Sequence, residues 1–188
     1  MTNLKDGSRA LGIAFSDGTD RSVLSGAVVR ADRVVDGFVF STCTVSGLDA
    51  TAAVIEAIAR LDRPDIQWIM LAGVAPAWFN ILDLETIATA ADRPVISVSF
   101  EDSEGLAAAI DREFTGVEQT ERRQRYDRLP PRQELAVSGE TVFVRSVGLD
   151  EDTAARVIRA YTPEGGRPEP LRVARSAARA YRRDCDSQ

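Results

Sequence analysis

Carboxylates are the side chains of this chain that could perform hydrolytic chemistry. The 188 residues include 29 Asp and Glu but no histidine, which excludes Ser–His and Cys–His nucleophile pairs and imidazole metal ligands. Cys43 and Cys185 lie in a strand-like segment and a polar tail, so they form neither a disulfide framework nor a zinc motif. Any catalysis must therefore use carboxylates, alone or as ligands of a hard cation such as Mg²⁺.

Three aspartates are weak candidates for metal ligands because they lie beside predicted strand ends or helix starts. They are Asp17, Asp49 and Asp83. Asp49 is also the one candidate for a catalytic residue. The alternative role for Asp49 is a helix N-cap that accepts a backbone N–H near Ala52, and the preference of Asp for that position favours the cap.

Two aromatic residues, Trp78 and Phe79, precede the predicted helix that contains Asp83. Helix capping is the simpler role for Asn80 and Asp83, and contact with a ligand is the alternative. Trp78 could be an exposed stacking platform, but adjacent aromatic residues are more often buried. We therefore predict that the pair closes the core.

Arginine accounts for all but one of the 23 basic residues, the exception being Lys5. Residues 1–120 hold 9 basic and 18 acidic groups, whereas residues 121–188 hold 14 and 11. Four arginines recur at helical spacing near the C-terminus and share one face: Arg172, Arg175, Arg179 and Arg182. They are our candidates for nucleic-acid binding, because such a stripe could follow a phosphate backbone. The alternative is a solvated helix face that balances the acidic part of the chain.

A second arginine group surrounds Tyr126, but acidic residues are interspersed with it, so the same alternative applies. Its members are Arg122, Arg123, Arg125, Arg128 and Arg132.

Length and composition indicate an ordinary globular protein. With 44% hydrophobic and 28% charged residues, the chain is predicted to form a single domain over residues 1–188, with flexible ends at 1–8 and 184–188. No apolar run approaches the roughly 20 residues that a membrane span needs, and the first residues lack the apolar core of a signal peptide. We predict a cytoplasmic protein with no membrane partner.

Hydrophobic periodicity predicts strands and helices in an α/β order. Three β-rich runs at 9–16, 22–30 and 34–44 form an antiparallel meander, because only short polar turns separate them. Helix, strand, helix and strand follow, at 49–61, 66–71, 81–91 and 94–100. Asp102 or Ser103 is predicted to cap the next helix, and residues 115–132 to form a mobile helix and loop. A strand pair at 134–137 and 141–147 and two further helices complete the chain.

This order of elements predicts a ribonuclease H-like fold, a three-layer α/β/α sandwich in which a mixed sheet contains three antiparallel strands and then parallel strands. A flavodoxin-like sheet is the alternative. It would require a helix between the first two strands, and the interval from Ser16 to Ser22 is too short for one.

Six separated strings resemble one family in order and spacing, over residues 9–180. The strings are LGIAF, GAVVRADRVVDG, TVSGLDAT, IMLAGVAPAWFNILDLE, RPVISVSF and PEPLRVARSAARA. They resemble the small archaeal proteins of unknown function that are related to endonuclease V.

The resemblance implies a metal-dependent nuclease with one catalytic aspartate in the first strand and another at the end of the fourth. Those positions are occupied here by Ala14 and Ala72. Two-metal hydrolysis needs several carboxylates on neighbouring strand ends, and alanine supplies none. We therefore expect a catalytically degenerate endonuclease V-like protein that binds DNA or RNA and requires no cofactor.

Two alternatives remain open. In the first, displaced carboxylates, Asp49 with Asp17 or Asp83, still bind Mg²⁺ or Mn²⁺ and cut nucleic acid. In the second, the protein is an interaction subunit, such as a homodimer, with no nucleic-acid role.

Overall fold

A mixed β-sheet forms the centre of the computed structural model, which describes residues 4–186. Within these residues seven strands lie in the order β3-β2-β1-β4-β5-β7-β6. Their bounds are β1 Arg9–Asp17, β2 Arg21–Arg30, β3 Val35–Thr44, β4 Ile66–Ala72, β5 Val95–Ser99, β6 Gln133–Val137 and β7 Glu140–Val147.

The pairing of these strands confirms the predicted ribonuclease H-like arrangement. β1, β2 and β3 are antiparallel neighbours, β1, β4 and β5 are parallel, and β7 returns antiparallel to β5. The flavodoxin-like alternative is wrong because β2 pairs directly with β1 through a short turn. The carboxyl ends of the three parallel strands therefore meet at one edge, where open α/β sheets usually bind ligands.

Helices cover both faces of the sheet. Their bounds are α1 Ala50–Leu61, α2 Pro76–Phe79, α3 Leu84–Ala91, α4 Ala107–Glu113, α5 Gly116–Asp127, α6 Glu151–Ala160 and α7 Glu169–Asp186. α1 and α3 bury their apolar residues against one face, and α6 and α7 against the other. None of the helices within residues 4–186 is long and apolar enough to cross a membrane.

Side-chain size alternates along β1, and this alternation sets how closely α7 approaches. Leu11 and Ile13 fill the core beneath α1, whereas Ala10, Gly12 and Ala14 face the other layer. A Cβ atom built on Gly12 would lie only 2.3 Å from the backbone carbonyl group of Pro170. The first turn of α7 therefore packs directly on the backbone of β1.

Several local predictions were wrong. α3 begins at Leu84, three residues later than we predicted, because residues 80–83 form an irregular loop. The N-cap residue of α4 is Leu106, so neither Asp102 nor Ser103 caps it. The helix in segment 115–132, which we predicted to be mobile, contributes a completely buried arginine, Arg122.

The chain ends are partly ordered. Ser8 is buried, and its carbonyl oxygen accepts a hydrogen bond of 2.8 Å from the Tyr161 hydroxyl. Residues 184–186 belong to α7. The predicted flexibility of 1–3 and 187–188 concerns residues outside those described.

Substituting Gly12→Ala should destabilise the protein, because the new methyl group must displace the first turn of α7. Overpacking of this kind typically costs about 1–3 kcal/mol in the free energy of unfolding. Urea denaturation followed by circular dichroism would measure the loss. Gly7→Ala is the control, since a Cβ there has no neighbour within 4 Å. Identical unfolding midpoints for the two variants would contradict the close packing of α7 on β1.

Candidate functional site

Methyl groups occupy the two positions where the resemblance places catalytic aspartates. Ala14 is only 1% exposed and packs with Ala27 and Ala174, and Ala72 also contacts this cluster. Ala72 is half-buried at the carboxyl end of β4, where it lines a cavity. Because neither side chain offers an oxygen ligand, these strand ends do not fit a divalent cation.

Two of the candidate aspartates are engaged in local hydrogen bonds. Asp17 accepts a bond of 2.6 Å from the Ser22 hydroxyl. Asp83 is the N-cap of α3 and accepts from the Thr86 backbone N–H at 3.0 Å, which confirms the capping role. Among residues 4–186, no group of three or more acidic or thiol side chains is arranged to hold a metal ion.

Asp49 stabilises a loop instead of capping a helix. It occupies the N-cap position of α1, but its carboxylate makes no cap hydrogen bond, so the capping prediction was wrong. The carboxylate instead accepts bonds from the Thr44 backbone N–H and hydroxyl and from the Asn80 amide. Burial alone would raise the pKa of Asp49, but the bonds from Asn80 and Thr44 outweigh it and lower that pKa.

The cap of α1 comes from Asn80, which we expected to cap the following helix. Its side-chain carbonyl oxygen accepts from the Ala50 backbone N–H at 3.0 Å, and its amide group donates to Asp49 at 2.8 Å. Asn80 is fully buried. One amide therefore connects the two loops at the carboxyl edge of β1 and β4.

A cleft lies above this edge of the sheet. It encloses a cavity of about 360 Å³ between the ends of β4 and β5 and the surrounding loops. Its charged and aromatic lining residues are Phe100, Glu101, Tyr126, Arg132, Phe143, Arg145, Arg167 and Arg175. Four arginines against one glutamate make the lining basic in a chain whose net charge is −6.

Aromatic rings hold two of the cleft arginines. The Arg132 guanidinium lies 3.8 Å from the centroid of Phe143, and that of Arg167 lies 3.9 Å from the centroid of Phe100. Arg145 donates to the Pro130 carbonyl oxygen, and burial lowers its pKa. Stacking fixes the Arg167 guanidinium in place and leaves its edge available to a ligand, whereas Arg132 already donates to the carbonyl oxygens of Glu101 and Ser103.

The arginine stripe of α7 divides into members with different surroundings. Arg172 pairs with Glu169 at 2.7 Å, and Arg182 donates to the Ser16 hydroxyl at 3.0 Å. Arg175 and Arg179 are exposed and line a second cavity of about 330 Å³ together with Arg172 and Arg167. Since Arg175 also lines the first cavity, the cleft continues along α7.

Arg122 serves the interior of the protein and not its surface. Its Nη2 donates to the Ser46 carbonyl oxygen at 2.6 Å, and its Nε donates to that of Phe79 at 3.2 Å. The guanidinium also lies 3.9 Å from the centroid of Phe114, and burial lowers its pKa. Arg122 therefore joins α5 to the loops after β3 and β4.

The other arginines of this second group also have protein partners. Arg125 donates to the Leu48 carbonyl oxygen, Arg123 pairs with Asp111, and Arg128 bonds to its own helix. The solvated helix face that we gave as the alternative for this group fits only the exposed Arg128, because Arg122 is buried and Arg123 and Arg125 are half-buried against protein partners.

The loop after β4 contains an unusual left-handed turn. Ala77, Trp78 and Phe79 have φ values of 50°, 55° and 59°, a conformation that costs about 1–2 kcal/mol per L-residue. Phe79 packs against Phe114, but the Trp78 side chain is 55% exposed. The prediction that both rings close the core was therefore wrong for Trp78.

Arg145 and Arg167 were not among the site residues that we predicted. Arg145 lies on β7, and Arg167 lies in the loop before α7, so neither belongs to a recognisable motif. The folding of β7 beside β5 brings Arg145 to this edge, and Arg167 reaches it by stacking on Phe100, which follows β5.

A comparison with known protein families identifies the family of this chain. The family described as Endonuclease dU matches residues 6–182. The chain belongs to the Endonuclease dU family. A UPF0215 protein of Thermococcus gammatolerans is 35% identical over 179 residues, covering 89% of this chain and 90% of that protein. A UPF0215 protein of Pyrobaculum calidifontis is 36% identical over 163 residues, covering 86% and 88%.

Solved structures show that the fold of this Endonuclease dU family member is shared with endonuclease V. A protein of unknown function from Archaeoglobus fulgidus aligns with a TM-score of 0.81 at 24% identity, covering 92% of this chain and 97% of that one. Endonuclease V of Ciona intestinalis, in complex with inosine-containing DNA, aligns with a TM-score of 0.63 at 15% identity, covering 95% and 87%. The suspected archaeal family, whose fold resembles that of endonuclease V, and the ribonuclease H-like fold are thereby confirmed.

Replacing Arg122 with methionine should unfold the loops at the carboxyl edge. The carbonyl oxygens of Ser46 and Phe79 would lose their donor, and unsatisfied buried groups cost about 1–3 kcal/mol each. We expect the free energy of unfolding to fall by about 2–4 kcal/mol. Arg123→Met is the control, because its exposed ion pairs contribute at most about 1 kcal/mol. Equal unfolding midpoints in urea for both variants would show that Arg122 is not an anchor.

Restoring an aspartate at position 14 should be costly, because the carboxylate would lie buried against Ala27 and Ala174. Burial raises its pKa above the unfolded value of about 3.9, so the folded state binds more protons than the unfolded chain. The loss of stability should therefore be smallest near pH 4, where only the bulk of the protonated side chain causes it, and grow as pH rises, reaching about 2–4 kcal/mol at pH 8.

Urea denaturation of Ala14→Asp at pH 5 and pH 8 would measure this difference. Ala72→Asp is the matched control, since its carboxylate would lie in the cleft beside arginines and should be charged at either pH. Equal losses in the two variants, independent of pH, would contradict the buried setting of Ala14.

Proposed function

We propose that the protein is a catalytically degenerate member of its endonuclease V-like family and that it binds nucleic acid through the arginine-lined cleft. The observation that carries this proposal is the composition of the carboxyl edge. Methyl groups stand at Ala14, within β1, and at Ala72, at the end of β4, and arginines line the cleft above Ala72. Such an edge attracts phosphates and repels Mg²⁺.

The chemistry of the donor set supports loss of hydrolysis. A metal-assisted attack on a phosphodiester requires carboxylates that hold the cation against the scissile phosphate. Asp17, Asp49 and Asp83 are the nearest candidates, and each is bonded to a different local partner. No step through a metal ion follows from these residues.

The distribution of charge supports nucleic-acid binding. Arg175 and Arg179 lie one turn apart on the exposed face of α7, and the cleft connects them with Arg167. A chain with an overall acidic balance therefore presents a basic path beside the sheet edge. Endonuclease V of Ciona intestinalis, which shares the fold, was solved with inosine-containing DNA, and this supports a nucleic-acid ligand for the present protein.

An active Mg²⁺- or Mn²⁺-dependent endonuclease is the second candidate function. The family description, which names an endonuclease and dU, favours it. In that case Asp49, with Asp17 or Asp83, would leave its local partners and bind the cation.

Nucleic-acid binding predicts a specific loss on charge reversal. The double variant Arg175→Glu/Arg179→Glu should bind 5′-hydroxyl single-stranded DNA at least about tenfold more weakly, with a shallower dependence on salt, because two phosphate contacts are lost. Fluorescence anisotropy at several salt concentrations would measure both the dissociation constant and its dependence on salt. The control is Arg156→Glu/Arg159→Glu, which makes the same charge change on the exposed face of α6.

Cleavage assays with the same protein separate the alternatives. We expect no strand scission of ordinary, deoxyuridine-containing or inosine-containing DNA with either Mg²⁺ or Mn²⁺. Metal-dependent scission that Asp49→Ala abolishes would establish the nuclease instead. Equal weak binding by the wild type and the α7 double variant would favour an interaction subunit, whose oligomeric state light scattering would then give.

A further inference from the structure

Three guanidinium groups of the cleft have no anionic partner within the part of the chain that the structure describes. They belong to Arg167, Arg175 and Arg179, and none of the three forms a hydrogen bond or ion pair there. Arg172, on the same helix, differs because it is paired with Glu169. Unpaired cations at one position of an acidic protein indicate a site for an anion that comes from outside the chain.

The fold holds these three arginines close enough to repel one another electrostatically. The pKa of Arg167 is lowered first by burial and then by the nearby charges of Arg175 and Arg179. The Phe100 ring keeps Arg167 in place, 3.9 Å from its guanidinium carbon. An anion would relieve both the repulsion and the loss of solvation, so the site is prepared for one.

The shape of the first cavity limits the size of the ligand. Its volume of about 360 Å³ lies at the lower end of the range for small-molecule pockets, about 300–1,000 Å³. Tyr126, Phe143 and Leu106 supply apolar wall, and Ser97 and Ser99 supply hydroxyl groups. Such a cavity suits one nucleotide and not a continuous strand.

We propose that the first cavity binds a nucleotide through its phosphate monoester, held by Arg167 and Arg175, with an attached strand continuing along α7 past Arg179. A monoester carries about −1.5 to −2 charges at pH 7, against −1 for an internal diester, and therefore matches a cluster of unpaired arginines better. This inference rests on the proposed function, because it places the phosphorylated end of a nucleic-acid strand in one part of the same cleft.

The test compares single-stranded dodecathymidylates that carry a 5′-phosphate, a 3′-phosphate or neither, by fluorescence anisotropy at constant salt. We expect a phosphate at one end to tighten binding about tenfold or more, the scale of hydrogen bonds to a charged group. Thymidine 5′-monophosphate and 3′-monophosphate serve as competitors, because they separate a free nucleotide from a strand end.

Two variants examine the pocket itself. Arg167→Gln should abolish the preference for the phosphorylated strand, and so should Ala72→Asp, which adds a carboxylate to the cavity without removing a contact. Arg156→Gln on α6 should leave the preference intact. Thermal melting tests whether each variant is folded. The ratio of wild-type affinities for the phosphorylated and unphosphorylated strands tests the pocket without any variant.

The outcomes are distinguishable. Binding of all oligonucleotides with a ratio near one would overturn the monoester pocket and leave the proposed function standing. No binding of any oligonucleotide or mononucleotide would overturn both. Saturable binding of a thymidine monophosphate alone would support the pocket with a free nucleotide as its source, and would overturn strand binding.

Discussion

Direct packing of α7 on the small-residue face of β1 is the constraint on which the arrangement of this protein depends. Gly12 has no side chain, so Pro170 can contact the strand, and Ala14 meets Ala174 in the next turn. This contact directs Arg175 toward the carboxyl edge of the sheet. It also leaves Ala14 without the hydration that a carboxylate would need. The small side chain at position 14 and the location of Arg175 at the edge of the sheet therefore both depend on the same close approach.

Arg122 plays the corresponding part for the opposite side of the cleft. A buried guanidinium without a carboxylate partner carries a large desolvation cost, which backbone carbonyl oxygens and the Phe114 ring offset. In return it holds the loop after β3 and the left-handed turn at Ala77–Phe79 against α5. Tyr126, further along the same helix, then reaches the cleft and bonds to the Leu106 backbone N–H at 3.0 Å.

The packing of α7 on β1 and the contacts of Arg122 together give this edge of the sheet a basic lining instead of an acidic one. Where the fold could present carboxylates to a cation, it presents methyl groups below and guanidinium groups above. A positive cleft retains the ability to attract phosphates, because the attraction depends on net charge and exposure. A cation that activates water would need oxygen ligands at fixed distances, and the side chains of Ala14 and Ala72 supply none.

The sequence by itself determined the order of elements, because strand and helix periodicity depend on neighbouring residues. β1 to β5 and α1 were predicted close to their observed bounds, and the residue types at Ala14 and Ala72 are given by the sequence directly. The cap of α1 was not predictable, since Asn80 comes from 30 residues away. Nor was the cleft, whose arginines lie on β7, α7 and a loop. Only the tertiary structure decided which charges meet, because their distances depend on how α7 and α5 pack against the sheet.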